Sequence, residues 1–142
     1  MPIEYQIDRD RQVVIAKAAG RVESREIHAY QGEVWSRSDT AGYDELVDMS
    51  AAELVTSPST EQVRKLARMS AAMDSQRRAS KFAIIAPRTA LFGLGRMYQT
   101  HRELDDRSTK QVGVFRSMED AIEWLGLAGR PPGEPSGSDD RA

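Results

Sequence analysis

The sequence predicts a single α/β domain with a mostly parallel five-stranded sheet that opens on an antiparallel N-terminal hairpin. The chain has 142 residues, a length that suits one domain with one sizeable core. Two short segments rich in β-branched residues, "IEYQID" and "QVVIAKAAG", are separated by "RDR" and predict the hairpin. Beyond them, amphipathic segments alternate with short apolar ones, which gives the order β-β-α-β-α-β-α-β-α. This alternation is typical of crossovers that build a parallel sheet with helices packed on it.

The first helix and the third strand follow the hairpin. We expect Gly20 to end the second strand and Ser24 to cap a helix. The apolar residues of this helix recur at helical spacing and should face the sheet: Ile27, Tyr30, Val34 and Trp35. The apolar run "ELVDMS" then predicts a buried strand, with Asp48 and Ser50 near its carboxyl end.

Two alternative caps open the second helix. Ser57 can cap it with Pro58 at the first helical position, whereas Ser59 and Gln62 can form a capping box slightly later. Either start leads into an amphipathic helix whose basic residues should face solvent.

The second half of the chain repeats the strand and helix pattern twice. "KFAIIAP" is apolar at successive positions, which is typical of a central parallel strand covered on both faces. A helix is expected from about Thr89 to Leu104, then a last strand, "QVGVF", and a helix "MEDAIEWL" capped by Ser117. The domain should cover residues 1–127, and residues 128–142, rich in Gly, Pro, Ser and Asp, should form a disordered tail.

Composition excludes several classes of function. The 20 basic and 22 acidic residues give a net charge of −2, which offers no general attraction to nucleic acid or to an anionic membrane surface. The chain has no cysteine, hence no disulfide and no thiolate nucleophile or ligand. His28 and His101 lie apart without a second metal ligand, so we expect neither metal nor cofactor. Because no apolar stretch reaches the roughly 20 residues of a membrane span and the N-terminus lacks a signal-peptide pattern, we expect a soluble cytoplasmic protein.

Four segments in register resemble a known family. "ELVDMS", "KFAIIAP", "FGLGRMYQ" and "VGVFRSMEDAIEWL" are similar to segments of the SpoIIAA-like family, which is related to STAS domains and to the CRAL-TRIO lipid-binding group. The resemblance covers about Ile3 to Leu127. It implies a STAS-like α/β fold and a non-enzymatic binding or regulatory role. The phosphorylated Asp-Ser-Ser-Gly motif of STAS anti-sigma-factor antagonists is absent, and "DMSAAELVTSPST" stands in its place, so no phosphoserine is inferred.

Polar residues near the carboxyl ends of the strands form a first candidate site. In parallel α/β sheets ligands collect at this edge, where a helix N-terminus can attract an anion. Asp48, Ser50 and Ser57 could therefore bind an anion or carry a phosphorylation site. The alternative is structural, with the serines as helix caps and Asp48 in local hydrogen bonds.

The segment "TALFGLGRMYQ" is the second candidate. It lacks the third glycine of a dinucleotide fingerprint and the lysine of a phosphate-binding loop. In a helix, Gly93 and Gly95 would point to nearly opposite sides, because successive residues advance by about 100°, so one could pack closely and the other face a ligand. On the functional interpretation, two arginines hold an anionic group while apolar residues line a pocket: Arg88 and Arg96, with Phe92, Met97 and Tyr98.

Three functions fit these observations. The first is a binding or regulatory module without catalysis, which meets a protein partner or a small anionic or lipidic ligand near the carboxyl edge of the sheet. The second is a carrier of a small apolar ligand, in a cavity lined by Phe92, Met97, Tyr98 and Trp124. The third is a small hydrolase built on Ser50, His101 and Asp48. Trp35 and Tyr43 could in addition form a homodimer interface.

Overall fold

The computed structural model describes residues 3–74 and 79–127. These residues form one five-stranded sheet in the order β1-β2-β3-β4-β5, with β1 antiparallel to β2 and the other neighbours parallel. The strands are β1 (Ile3–Asp8), β2 (Val13–Val22), β3 (Asp44–Leu54), β4 (Ser80–Ile85) and β5 (Lys110–Phe115). The helices are α1 (Ser24–Trp35), α2 (Thr60–Met73), α3 (Thr89–Glu103) and α4 (Met118–Leu125), with a 3-10 turn at Ser38–Thr40. The predicted fold class and element order are confirmed, whereas the predicted tail lies outside the described residues.

The helices divide between the two faces of the sheet. Helices α1, α2 and α3 contribute Tyr30, Val34, Val63, Ala67 and Tyr98 to the larger core. Helix α4 packs on the other face and contributes Ala121 and Leu125 to a smaller core. Strand β4 supplies both cores, with Phe82 in the larger one and Ala83 and Ile85 in the smaller one. Its unbroken apolar run therefore results from cover on both faces, as the sequence predicts.

The helix caps agree with the sequence at two places and differ at two. Ser117 caps α4, because its hydroxyl accepts from the backbone N–H of Asp120 at 3.2 Å. Helix α2 begins after Ser59, which forms the reciprocal capping box with Gln62 at 3.1 and 2.8 Å. The cap predicted at Ser57 is therefore wrong, since the box satisfies two backbone N–H groups with one pair of side chains.

Helix α1 also begins one residue away from the predicted cap. Glu23 occupies the N-cap position, and its N–H donates to the Glu26 carboxylate at 2.8 Å. Ser24 is the first helical residue, so the cap predicted there is displaced by a reciprocal pair of the same kind.

Strands β2 and β3 extend beyond their predicted ends as a two-stranded ribbon. Residues 19–22 of β2 pair with residues 51–54 of β3, whereas the pairing of β3 with β4 stops at Asp48 and Ile85. Gly20 does not end β2, because a glycine adopts its φ of 74° without steric cost inside the ribbon. We call residues 19–22 and 51–54 the β2–β3 ribbon; it projects past the carboxyl end of β4.

Candidate ligand-binding site

The N-terminus of α3 meets the β2–β3 ribbon at the carboxyl edge of the sheet. Arg88 stands at the N-cap position without a side-chain cap, and its Nη2 donates to the backbone oxygen of Ala52 in the ribbon. Within residues 3–74 and 79–127, Arg88 forms no ion pair with a carboxylate. Its positive charge therefore adds to the positive end of the α3 dipole.

A cavity of about 210 Å³ with three polar residues in its lining lies at this contact, and we call it the mouth. Ser57, Arg88 and Glu53 supply its polar side chains, and all three are exposed. Its remaining lining is small or apolar: Ala52, Leu54, Ala90, Leu91 and Leu94. The mouth can thus offer a guanidinium, a hydroxyl and a helix N-terminus to an anion, with one carboxylate opposing it.

An apolar cavity of about 150 Å³ adjoins the mouth, and we call it the groove. It lies between the sheet and helices α1, α2 and α3. Leu54, Leu91 and Leu94 line both the mouth and the groove. Most of its remaining lining is aliphatic or aromatic: Ile3, Ile27, Val47, Met49, Val63, Leu66, Phe82 and Ile84. The mouth, which carries the charged side chains, and the apolar groove therefore share part of their walls.

Tyr98 is the predicted site residue that reaches the groove from α3. It is 6% exposed, and its hydroxyl accepts from Nη1 of Arg102 at 2.7 Å. Burial raises the pKa of Tyr98 to about 12, although the charge of Arg102 opposes the shift. The phenol is therefore neutral at physiological pH and belongs to the wall of the groove.

The structure separates the other predicted residues. Ser57 and Arg88 line the mouth. Phe92 lines neither cavity, because the Arg116 guanidinium covers its ring at 4.1 Å from the ring centre. Met97 packs against the larger core, and Arg96 is exposed outside both linings.

Asp48 and Ser50 lie in an irregularity within β3 and not at its end. Lys17 pairs with Asp48 and Ala19 with Ala51, so β3 holds one extra residue there. The Asp48 carboxylate accepts from the N–H of Ser50 at 2.9 Å, which stabilises this bulge. The predicted local hydrogen bonding of Asp48 is present, and neither residue lines the mouth or the groove.

The positions of Trp124 and His101 do not fit the predicted carrier cavity and the predicted hydrolase site. Trp124 packs on Phe115 in the smaller core at 5.2 Å between ring centres, on the far side of the sheet from the groove, so it cannot line the predicted carrier cavity. His101 lies in the last turn of α3, whereas Asp48 is level with the carboxyl end of β4. His101 therefore lies toward the amino edge of the sheet, whereas Asp48 and Ser50 lie near its carboxyl edge.

The two glycines of α3 face different surroundings, as their spacing in a helix predicts. A Cβ on Gly95 would lie 3.0 Å from Cγ1 of Val114 in β5, whereas a Cβ on Gly93 would meet nothing within 4 Å. Gly95 thus allows α3 to approach the sheet closely, and Gly93 faces open space.

The amino edge of the sheet holds a charged cluster that sequence reasoning missed. Arg102 is fully buried and forms an ion pair with Asp74. Glu45 is 1% exposed and accepts from Tyr30 Oη and from Trp35 Nε1, the latter at 2.7 Å. We call Glu45, Asp74, Arg102 and Lys110 the amino-edge cluster.

Lys110 completes this cluster beside a cleft of about 430 Å³. Its Nζ donates to the backbone oxygen of Tyr43 at 2.8 Å and to Ser80 Oγ at 3.1 Å. Burial lowers the pKa of Lys110, and the charge of Glu45 opposes that shift. Burial raises the pKa of Glu45, and Lys110 opposes it in turn. The charges therefore support one another, with hydrogen bonds on each member.

Trp35 and Tyr43, the residues suggested for a homodimer, are engaged within the chain. The Trp35 indole donates to Glu45, and both residues are partly buried against the larger core. Both residues are thus partly used inside the chain, and a homodimer through their remaining surface stays a prediction.

Metal centres and membrane-spanning helices are the remaining features that bear on function. No group of three or more histidine, aspartate or glutamate side chains in the described ranges could hold a metal ion. Among the described helices, none combines the length and the apolar character needed to cross a membrane.

Comparison with known proteins identifies the fold. No family model and no curated protein matches the chain. An uncharacterized protein from the DUF3478 family with a SpoIIAA-like fold, from Shewanella loihica, is similar over 87% of this chain and 93% of its own, with 16% identity and a TM-score of 0.55. An anti-sigma factor antagonist from Mycobacterium paratuberculosis is 15% identical, covers 87% of this chain and 94% of its own, and has a TM-score of 0.48. The first similarity confirms the resemblance seen in the sequence: this chain has a SpoIIAA-like fold.

Proposed function

We propose that this protein is a non-enzymatic binding module for a small amphipathic carboxylate at the carboxyl edge of its sheet. The observation that carries the proposal is the shared wall of the two cavities, since Leu54, Leu91 and Leu94 line both the mouth with its charged residues and the apolar groove. A ligand with an anionic head and an apolar chain would fit, with its head in the mouth and its chain in the groove. In the regulatory role implied by the resemblance, binding of this ligand would change the affinity of the protein for a protein partner.

The head group is assigned to Arg88. A guanidinium has five N–H donors, and Ala52 occupies Nη2 of Arg88, which leaves donors for a carboxylate. The uncapped first turn of α3 and the Ser57 hydroxyl add further donors at the mouth. A hydrogen bond to a charged group contributes about 1.5–3 kcal/mol, so Arg88 should dominate the recognition of the head.

The chain of the ligand is assigned to the groove. Burial of each methylene contributes about 0.8 kcal/mol, and a cavity of about 150 Å³ can hold a molecule the size of benzene. With the head in the mouth, a chain of about eight carbons is therefore suitable. Neither His28 nor His101 lines the mouth or the groove, so this site has no histidine for acid–base catalysis.

The test is a calorimetric titration of the purified protein with octanoate, octanol and acetate. We expect octanoate to bind most tightly, because it alone uses both cavities. Arg88→Gln should weaken octanoate binding about tenfold or more, and Arg88→Lys, which keeps the charge, should weaken it less. Octanol binding should change little in either variant.

Arg96→Gln is the matched control, because Arg96 is an exposed arginine of the same helix outside both cavities. Its octanoate affinity should stay within about twofold of the original protein, as expected for a distant surface charge. Equal losses in Arg88→Gln and Arg96→Gln would refute the assigned head-group site, and failure of octanoate to bind at all would refute the proposed function.

A further inference from the structure

We infer, building on the proposed function, that Gln31 selects a ligand whose buried chain carries a hydroxyl group. Gln31 projects from α1, is 4% exposed and lines the groove. Its Oε1 is buried and has no hydrogen-bond partner among the residues that the structure describes. A buried acceptor without a partner is unfavourable, and a donor on the ligand would satisfy it.

The hydrogen bonds around Ser70 fix which end of the amide is unpaired. The Ser70 hydroxyl donates its proton to the backbone oxygen of Leu66 at 2.8 Å. Because that proton is used, Ser70 Oγ accepts from Nε2 of Gln31 at 3.0 Å, and the Tyr98 hydroxyl also lies within hydrogen-bonding reach of Ser70. Reversing the amide would place two acceptors against each other, so the acceptor Oε1 is the atom left for a ligand.

The other polar side chains that line the groove already have partners. Tyr30 Oη and Trp35 Nε1 both donate to Glu45, and Tyr98 Oη accepts from Arg102. Gln31 differs from these three residues, because its Oε1 has no hydrogen-bond partner within the described ranges.

The chemistry of the missing partner follows from the surroundings. Oε1 requires a donor, so a carbonyl or ether on the ligand would not serve. An ammonium would lose its hydration in a groove lined mainly by aliphatic and aromatic residues, at a large cost in free energy. A neutral hydroxyl is the donor that fits, and the ligand class is a medium-chain hydroxy acid.

The test compares octanoate with hydroxyoctanoates that carry the hydroxyl near the carboxylate, in the middle of the chain or at its far end. We expect one isomer to bind about tenfold more tightly than octanoate, the gain from one buried hydrogen bond. Gln31→Leu should abolish this preference, so that octanoate and the hydroxyoctanoates bind to the variant with similar affinity. Gln111→Leu, at an exposed glutamine of β5, should keep the preference.

Ser70→Ala is a second variant, since it frees Nε2 and lets the amide reorient. It should reduce the preference without changing octanoate affinity, and it serves if Gln31→Leu does not fold. Octanoate and every isomer binding equally, or a preference that survives in both variants, would overturn the role of Gln31 and leave the proposed function standing. Failure of all these acids to bind would overturn both.

Discussion

The two edges of the sheet bury polar groups in different ways. At the amino edge, Arg102 forms an ion pair with Asp74, while Glu45 and Lys110 are hydrogen-bonded to neighbouring uncharged groups. At the carboxyl edge, the mouth holds an arginine without an ion pair in the described part of the chain, and the groove that adjoins the mouth contains one amide oxygen without a partner there. Charged groups that are buried together with hydrogen-bonding neighbours indicate a structural role, whereas a buried acceptor left for a partner beside a cavity indicates a place for a ligand.

The largest expected effect concerns the amino-edge cluster. Arg102→Met removes a buried charge and leaves Asp74 buried with its main partner gone, which should lower the free energy of unfolding by about 3–5 kcal/mol. The comparison is Arg64→Met, because Arg64 pairs with Glu61 at 2.8 Å on the exposed face of α2. That variant should lose less than about 1 kcal/mol.

Chemical denaturation of both variants measures this difference. Similar small losses would mean that the amino-edge cluster is not the structural centre that its burial indicates, and the contrast between the two edges would fail.

A second effect is the pH dependence contributed by Glu45. Burial raises its pKa above the ordinary value of 4.5. Between that value and the raised folded-state pKa, the folded protein keeps a proton that the unfolded chain has released, so the free energy of unfolding falls as pH rises. Glu45→Gln does not titrate and should lack this fall, while its amide can still bond with Tyr30 and Trp35.

Asp105→Asn is the control of opposite sign. Arg107 lowers the pKa of Asp105 to about 2, so Asp105 contributes stability that is lost as pH falls from its ordinary value of 3.8 toward about 2. Urea denaturation of the three proteins over a range of pH measures both slopes. Parallel profiles for the original protein and Glu45→Gln would contradict the assignment.

These two edges also mark what could be predicted from the sequence. The apolar run at residues 82–85 and the cap at Ser117 are local signals, and both were predicted correctly. The amino-edge cluster was missed because its partners are far apart in the chain: Tyr30 and Glu45 are separated by 15 residues, and Asp74 and Arg102 by 28.

The candidate site was predicted in part for a related reason. Ser57 was selected because it lies near a strand end, and Arg88 was selected as an arginine that could hold an anion beside the glycines of α3; the mouth contains both. The extension of β3 to Leu54 displaced Asp48 and Ser50 from the strand end, and no local pattern predicts where a parallel strand loses its second neighbour. Gln31 was not selected, because an amide on a helix gives no sequence signal of burial.

The glycines of α3 allow a smaller test on the groove side. Gly93→Ala should raise the free energy of unfolding by about 0.5–1 kcal/mol, because alanine favours the helix and the new Cβ meets nothing. Gly95→Ala forces Val114 to move and should be less stable than Gly93→Ala by about 1 kcal/mol or more. Thermal and urea unfolding measure both. Equal gains would mean that the close contact of α3 with β5 does not depend on Gly95.

The smallest effect concerns Glu53, the carboxylate that shares the mouth with Arg88. Both side chains are exposed, so their influence on a bound anion is screened by water and salt. Glu53→Gln removes a charge that repels the carboxylate head, and octanoate affinity should rise about two- to threefold at low salt and less at high salt. Octanol has no charge, and its binding should not change.

Glu4→Gln, at an exposed glutamate of β1 outside both cavities, is the control for a change in net charge. If both variants raise octanoate affinity equally, the gain comes from the overall charge of the protein and not from the mouth. If Glu53→Gln raises octanol affinity as well, the head group of the ligand does not lie beside Glu53. A gain limited to octanoate, to Glu53 and to low salt would place the carboxylate between Glu53 and Arg88, at the edge of the sheet where the arginine has no carboxylate partner among the described residues.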